Sequence, residues 1–340
     1  MRNIKIGAIR WDAWYGHNGI PGSVISEVEK TLSPKEYHFR APFFAKVTDD
    51  GKIEVPVYDQ EIFDREMAYA VSSGIDYFAF VWYNDDMKKA REMYKNSPYH
   101  DKIKMSVVLS GSHSEEIRRE MTELLKEDYF MRVDGGRPLI YYFGACREDA
   151  KENIDFYKAF CEREGMPIPY TVVLNLGEED TFSSGADAIG QYGVTGEKGE
   201  PFANVRANAR TLWDRFKKTG GAFVPTVSMG WHNRPRHDNP TFWANIESPD
   251  SWAQYPTGAE LKEHLTEALA YLNEPDTVRQ TPAETLLMYA WNEHDEGGWF
   301  CPTIAVDENG KQILAPDGTL LANTERLDGV REAIKTYREV

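Results

Sequence analysis

The segment LLMYAWNEHDEGGWFCPT, residues 286–303, sets Trp291, Asn292, Glu293, His294, Asp295 and Glu296 in succession behind an apolar run. The run reads as a buried strand, which puts Glu293 at its C-terminal end and Glu296 in the loop beyond. Residues three apart on a straight strand point to opposite faces. The two carboxylates therefore meet only if the chain turns out of the strand, and Gly297-Gly298 supplies the freedom for that turn. Two carboxylates facing one pocket push their pKa values apart, leaving one protonated acid and one ionised base. Glycoside cleavage needs that equipment. The same residues also read as a solvated acidic loop closed by diglycine.

Other strand ends bear on the choice. The first predicted strand runs into WDAWYGHNG, with Trp11, Asp12, Trp14, Tyr15 and His17. The second ends at Trp82-Tyr83-Asn84-Asp85, the sixth at Gln191-Tyr192. The seventh runs into GWHNRPRHDN, with Trp231, His232, Asn233, Arg236 and His237. Aromatic faces for sugar C–H surfaces, set beside polar groups for hydroxyls, are what a carbohydrate site requires. Any one of these tryptophans also reads as packing beneath a loop; four strand ends sharing the habit point to a site.

Competing chemistries find less support. No HExxH or HxH spacing occurs, and His294, Asp295 and Glu296 are too close in sequence to ligate one ion together. There is no GxSxG, no GxGxxG and no phosphate-binding P-loop. Neither metal nor cofactor is expected.

The elements that would position these residues alternate along the chain. Residues 4–11, 75–83, 103–111, 138–144, 170–177, 186–193, 222–231 and 286–293 read as buried strands. Apolar stripes of helical spacing lie between them, such as Ile62, Phe63, Met67, Ala70 and Val71 before Gly74, or Ile117, Met121 and Leu124 after Ser114. Eight strands alternating with helices predict an α/β fold, a (β/α)8 TIM barrel, with 1–340 as one catalytic domain. Long loops follow the first strand (12–58) and the seventh (232–260), and in this fold such loops build the active-site face.

Composition narrows the partners. The chain has 340 residues, 41% hydrophobic and 13% aromatic, enough for a large core. Its formal charge of −16 argues against nucleic acid or an anionic membrane surface as partner. Three scattered cysteines suit a reducing compartment. No signal-like N-terminal segment or membrane-length apolar run is present. The expected location is cytoplasmic, or secreted or periplasmic if a leader has been removed. Oligomeric state is left open.

These residues resemble a known family. WNEHDEG is similar to the strand-eight motif Asn-Glu-x-x-Glu-Gly of glycoside hydrolase family 99, the endo-α-mannosidase and endo-α-mannanase family, and of the related WbsX-like proteins. AWYGHNG, FVWYND and ADAIGQY resemble that family's motifs after strands one, two and six, and GWHNRPRHDN is nearer the WbsX-like group. The resemblance implies Glu293 as base and Glu296 as acid/base, with Tyr15, Trp82 and Tyr192 in the sugar pocket. It implies a retaining reaction on an α-linked, mannose-configured or similar glycan, in which the substrate's own 2-hydroxyl displaces the leaving group to form a 1,2-anhydro sugar. Family 99 has Trp-His between its glutamates where this chain has His294-Asp295. The alternatives are a WbsX-like glycosyltransferase or carbohydrate-modifying protein of polysaccharide assembly, and a non-catalytic glycan-binding barrel.

Overall fold

A computed structural model describes residues 1–14, 23–83, 87–144 and 146–339. Eight parallel strands form its centre: β1 Lys5–Arg10, β2 Tyr77–Trp82, β3 Lys104–Ser110, β4 Arg137–Phe143, β5 Tyr170–Leu174, β6 Ala188–Gly190, β7 in two pieces, Ala222–Phe223 and Thr226–Ser228, and β8 Thr285–Tyr289. Each pairs with its sequence neighbour, and β8 returns to β1 through Lys5↔Thr285 to Ala8↔Met288. Strand β7 closes the ring. Its first piece pairs with β6 (Ala222↔Ala188) and its second with β8 (Thr226↔Leu287). Pro225 interrupts it because proline has no N–H to give a ladder. Pairing continues on either side, Val224 N–H to the Ile189 carbonyl at 2.9 Å and Leu287 N–H to the Pro225 carbonyl at 3.0 Å. The fold is the (β/α)8 barrel the alternation predicts.

The helices are α1 Val24–Leu32, α2 Gln60–Ser73, α3 Lys89–Asn96, α4 Glu115–Leu124, α5 Arg147–Arg163, α6 Glu178–Ser183, α7 Phe202–Lys218, α8 Arg234–Asp238, α9 Gly258–Leu272 and α10 Glu325–Arg338. All but α1 and the short α8 are the crossover helices of the barrel, α10 following β8. Their ends obey local chemistry. The Ser114 hydroxyl accepts from the Ile117 N–H to start α4, and Gly74 stops α2 at φ +84. Phe63, Met67 and Ala70 of α2 are buried toward the sheet, as their spacing predicts. Among the described residues no helix is long and apolar enough to cross a membrane.

Inside the ring the Tyr77 hydroxyl bonds the Tyr141 hydroxyl at 2.7 Å and Thr285 Oγ1 at 2.8 Å. Gly7 makes room for that ring, since a Cβ there would stand 2.0 Å from Tyr77 Cζ. Between β1 and α2 lies a buried ion pair, Arg10 to Glu66, with 3.0 Å contacts from Nη1 and Nη2.

Two features differ from the sequence expectation. Strand β8 stops at Tyr289, and Asn292–Glu293 leave it to pair antiparallel with Gly298–Trp299. A third long excursion follows, residues 300–324, carrying the Thr303–Ile304/Ala322–Asn323 hairpin.

Candidate active site

The hairpin 292–299 is the core of the site. Its turn needs glycine at 297: φ is +88, and a Cβ would fall 2.6 Å from the His232 N–H nitrogen. The His232 N–H donates to the Glu296 carbonyl at 2.6 Å, tying the loop after β7 to this turn. The turn carries Glu293 and Glu296 to one cavity of about 470 Å³. Residues at or just past the C-terminal ends of β1, β2, β4, β5, β6, β7 and β8 line it, which places it on the C-terminal face of the barrel.

Arg236, from α8, organises the charges. Its Nε and Nη2 fork onto the two Asp295 oxygens at 2.8 Å each, a geometry that fixes the guanidinium plane. Its Nη1 donates to Glu296 Oε1 and its Nη2 lies 3.8 Å from Glu293 Oε2. The Tyr289 hydroxyl donates to Glu296 Oε2, and the Tyr192 hydroxyl to Glu293 Oε1 at 2.9 Å. Asp295 is fully enclosed and Glu293 nearly so. Burial, with Glu296 beside it, holds the Glu293 carboxyl well above the usual carboxylate range against the pull of Arg236. Glu296, for its part, is held by the cation and a phenol. The walls are aromatic: Trp11, Tyr83, Phe143, Tyr192, Trp231 and Trp243, with Asn175, Gln191 and Thr195 as polar points. Arg236 also lies over the Trp11 and Trp243 rings, at 5.6 and 5.8 Å.

Of the candidate residues from the sequence, Tyr83, Gln191, Tyr192, Trp231, Arg236, Glu293 and Glu296 line this cavity. Tyr15 and His17 lie outside the described residues. The other candidates are corrected. Trp82 is buried under the Arg91 guanidinium, 3.5 Å from its ring centroid, because its neighbour Tyr83 takes the inward side. Trp14 packs edge-on against Phe44. Trp291 is enclosed and its indole N–H donates to Glu66 at 3.0 Å. Asp12 Oδ2 accepts from the Ala90 N–H at 3.0 Å, holding the start of α3. The Asn292 amide clasps Trp11, accepting from its N–H at 2.8 Å and donating to its carbonyl at 2.6 Å. That clasp places Trp11 without Asn292 reaching the cavity. His294 is buried between the Trp14 and Trp299 rings, and its carbonyl accepts from Arg40 Nε at 2.7 Å. Burial lowers its pKa to about 4. His232 stacks on Tyr255 at 4.4 Å, with a pKa pushed down by burial and Arg40 to about 3. Asn233 is buried at the start of α8.

Sequence reasoning missed Phe143, Asn175, Thr195, Phe242 and Trp243, and it gave Asp295 no role. Asn175 carried a signal: it stands one residue past β5 at φ +63, where its Oδ1 accepts from the Tyr192 N–H at 2.8 Å. Phe242 and Trp243 sit in the long loop 232–260, which the sequence marks as a whole, with no periodicity to single out these two residues.

The whole chain superposes on solved structures of a family 99 endo-α-mannosidase from Bacteroides thetaiotaomicron. The structure in complex with bis-tris propane matches with a TM-score of 0.60 and 13% identity, over 100% of this chain and 99% of that one. A second structure of that enzyme matches with a TM-score of 0.58 and 15% identity, over 98% and 97%. At such identities the likeness is one of fold. No family profile and no curated protein matches the chain.

Proposed function

We propose that the protein is a retaining glycoside hydrolase acting on an α-linked glycan of mannose or similar configuration, with Glu293 and Glu296 as its acid–base pair. The observation that carries this reading is the hairpin: two glutamates three residues apart reach one aromatic-walled cavity from the same edge. Direct attack on the anomeric carbon requires carboxylates that flank the scissile bond from opposite sides. A pair on one edge suits a different task. One carboxylate takes the proton of the 2-hydroxyl while the other protonates the glycosidic oxygen.

In the first step Glu293 accepts the 2-hydroxyl proton, the 2-oxygen bonds to the anomeric carbon, and the leaving oxygen departs with a proton from Glu296. In the second, water attacks the anomeric carbon, Glu296 takes the water's proton, and Glu293 returns its proton to the 2-oxygen. Two inversions give net retention. Only one proton is shared by the pair at the outset, and for interacting sites it belongs to the pair rather than to either member. The first step draws on the arrangement in which Glu293 is ionised and Glu296 carries the proton. The high proton affinity of a dry, crowded Glu293 is what a base for a weakly acidic hydroxyl needs. Asp295 and Arg236 hold the geometry, and Trp11, Tyr83 and Trp231 offer faces to the sugar. The bis-tris propane complex and the endo-α-mannosidase label belong to the structural neighbour; the mannose configuration is carried over from it and from the WNEHDEG resemblance.

The test is incubation with a panel of α-linked oligosaccharides, reading released products and their anomeric configuration. Cleavage of an α-mannoside with retention, and none of its 2-deoxy counterpart although that binds, is the expected result. Cleavage of the 2-deoxy substrate at a comparable rate would refute the proposed first step.

A further inference from the structure

Behind the catalytic hairpin, away from its cavity, the barrel holds two arginines without a carboxylate. Arg40 is fully buried and Arg326 partly so, and they flank the Trp299 indole, 5.3 and 3.6 Å from its centroid. Arg40 bonds the carbonyls of His294 and His232. Arg326 uses Nη1 alone, on the carbonyls of Met229 (3.3 Å) and Trp299 (3.0 Å). Among the described residues neither guanidinium makes an ion pair, and Arg326 Nε and Nη2 make no hydrogen bond. Burial, with the repulsion of Arg40, lowers the Arg326 pKa to about 9. In a chain of net charge −16, Arg40 is a buried cation without an ion pair, against the rule that buried charges are paired, and the half-buried Arg326 beside it has only Glu325, beyond ion-pair distance, to offset it.

Arg326 borders a second cavity, of about 230 Å³, floored by Trp299 and Tyr255 and edged by Thr257, Thr303 and Asn323. Two helices begin at its rim: α9 at Gly258 and α10 at Glu325. Helix N-termini carry partial positive charge; the Thr257–Glu260 capping box closes that of α9, while at α10 Thr324 gives no cap and Asn323 Oδ1 takes the first N–H. Glu325 also borders the cavity, but its Oε1 accepts from the Gly258 N–H at 2.9 Å. The setting, between the loops after β7 and β8, is where (β/α)8 barrels repeatedly hold phosphate groups.

We propose that this cavity is an oxyanion site, with Arg326 as its cation, for the phosphate, sulfate or carboxylate group of a small ligand. The anion replaces the missing counter-ion of the Arg40–Arg326 pair. It stands on Trp299, whose backbone pairs with Asn292 in the catalytic hairpin, so occupancy stiffens that hairpin from behind. The site is independent of the proposed hydrolase reaction, and its test uses no activity.

The full-length protein is titrated with inorganic phosphate, glucuronate and glucose at ionic strength held constant with sodium chloride. Calorimetric heat and Tm are followed. Phosphate, glucuronate or both should bind saturably and raise Tm, while glucose does neither; phosphate without glucuronate points to a free or esterified phosphate, glucuronate to an acidic sugar. Arg326→Gln should weaken the binding by about tenfold or more, the loss of a charge-assisted contact. Because Arg326 packs on Trp299, Asn323→Asp serves as a second variant. It lies at an exposed position, keeps the oxygen that accepts from the Glu325 N–H (3.0 Å), and sets a negative charge at the rim, so it should fold and lose the anion. A Tm rise that sodium chloride reproduces, equal binding of glucose, or affinities unchanged in both variants would overturn the proposal.

Discussion

At the scale of single residues, Arg236 and Glu293 make opposite demands on the fold. Arg236 is the only cation in contact with Asp295 among the described residues, and both are buried. Removing it in Arg236→Met leaves Asp295 enclosed without a partner and should cost about 3–5 kcal/mol of stability. Adding Asp295→Asn removes the stranded charge and should restore part of the Tm. Activity should stay lost in the double variant, because the glutamate pair still lacks its cation. Recovery of activity together with stability would show that Arg236 acts only on the fold. Glu293 behaves the other way. Its folded carboxyl holds its proton more tightly than the unfolded one, so its contribution to stability is fully present below the unfolded value of 4.5. That contribution falls as pH rises toward the raised folded value. Glu293→Gln fixes the neutral form. It should therefore match the wild-type Tm near pH 4, exceed it increasingly through neutral pH, and abolish turnover. A Tm gain that does not grow with pH would remove the argument for a strained carboxyl.

At the scale of elements, the turn after β8 is the most exacting piece. Gly297→Ala sets a Cβ against the His232 backbone at an unfavourable φ. A side chain in a conformation that only glycine adopts comfortably costs about 1–2 kcal/mol, and the clash with backbone adds to that. The turn would have to shift, carrying Glu296 with it, so kcat should fall far more than Tm; an unchanged kcat would mean that the turn tolerates movement. That a turn stands here is legible in the sequence, because two carboxylates and a diglycine directly behind an apolar strand leave little else. The eight strands are legible for a related reason: each is a short apolar run between capped helices. What the sequence hides is which of two adjacent aromatics faces the cleft. Trp82 and Tyr83 differ by one residue, and the chain is leaving the sheet there, so the two-residue period loses its phase. Trp14, Trp291 and His294 mislead for another reason. Loops over a barrel mouth need their own small cores, and these residues fill them against Phe44, Glu66 and Trp299.

At the scale of the whole molecule, the barrel separates stability from chemistry along its axis. The ring is filled by side chains such as Tyr77, whose hydroxyl is fixed by Tyr141 and Thr285 and whose ring occupies the space above Gly7. The groups proposed to react stand beyond the other ends of the strands, on loops braced by Arg40 and by the Asn292 clasp on Trp11. Two substitutions probe that division. Gly7→Ala forces a methyl against a ring that two partner hydroxyls hold in place, and overpacking of this kind costs about 1–3 kcal/mol. Its Tm should drop, while the KM and kcat of the folded protein stay at wild-type values, since nothing at the mouth has moved. Trp231→Ala removes a partly exposed ring from the cavity wall. It should leave Tm nearly unchanged and weaken glycan binding by about 1 kcal/mol or more, the scale of one aromatic contact. Thermal melts and substrate titrations of the two variants, run side by side, give four numbers. The division stands only if the two losses fall on opposite sides. A Trp231→Ala protein that binds glycan normally but melts early would place that ring in the core with Trp82, and would take from the cleft one of the faces on which its reading as a sugar site depends.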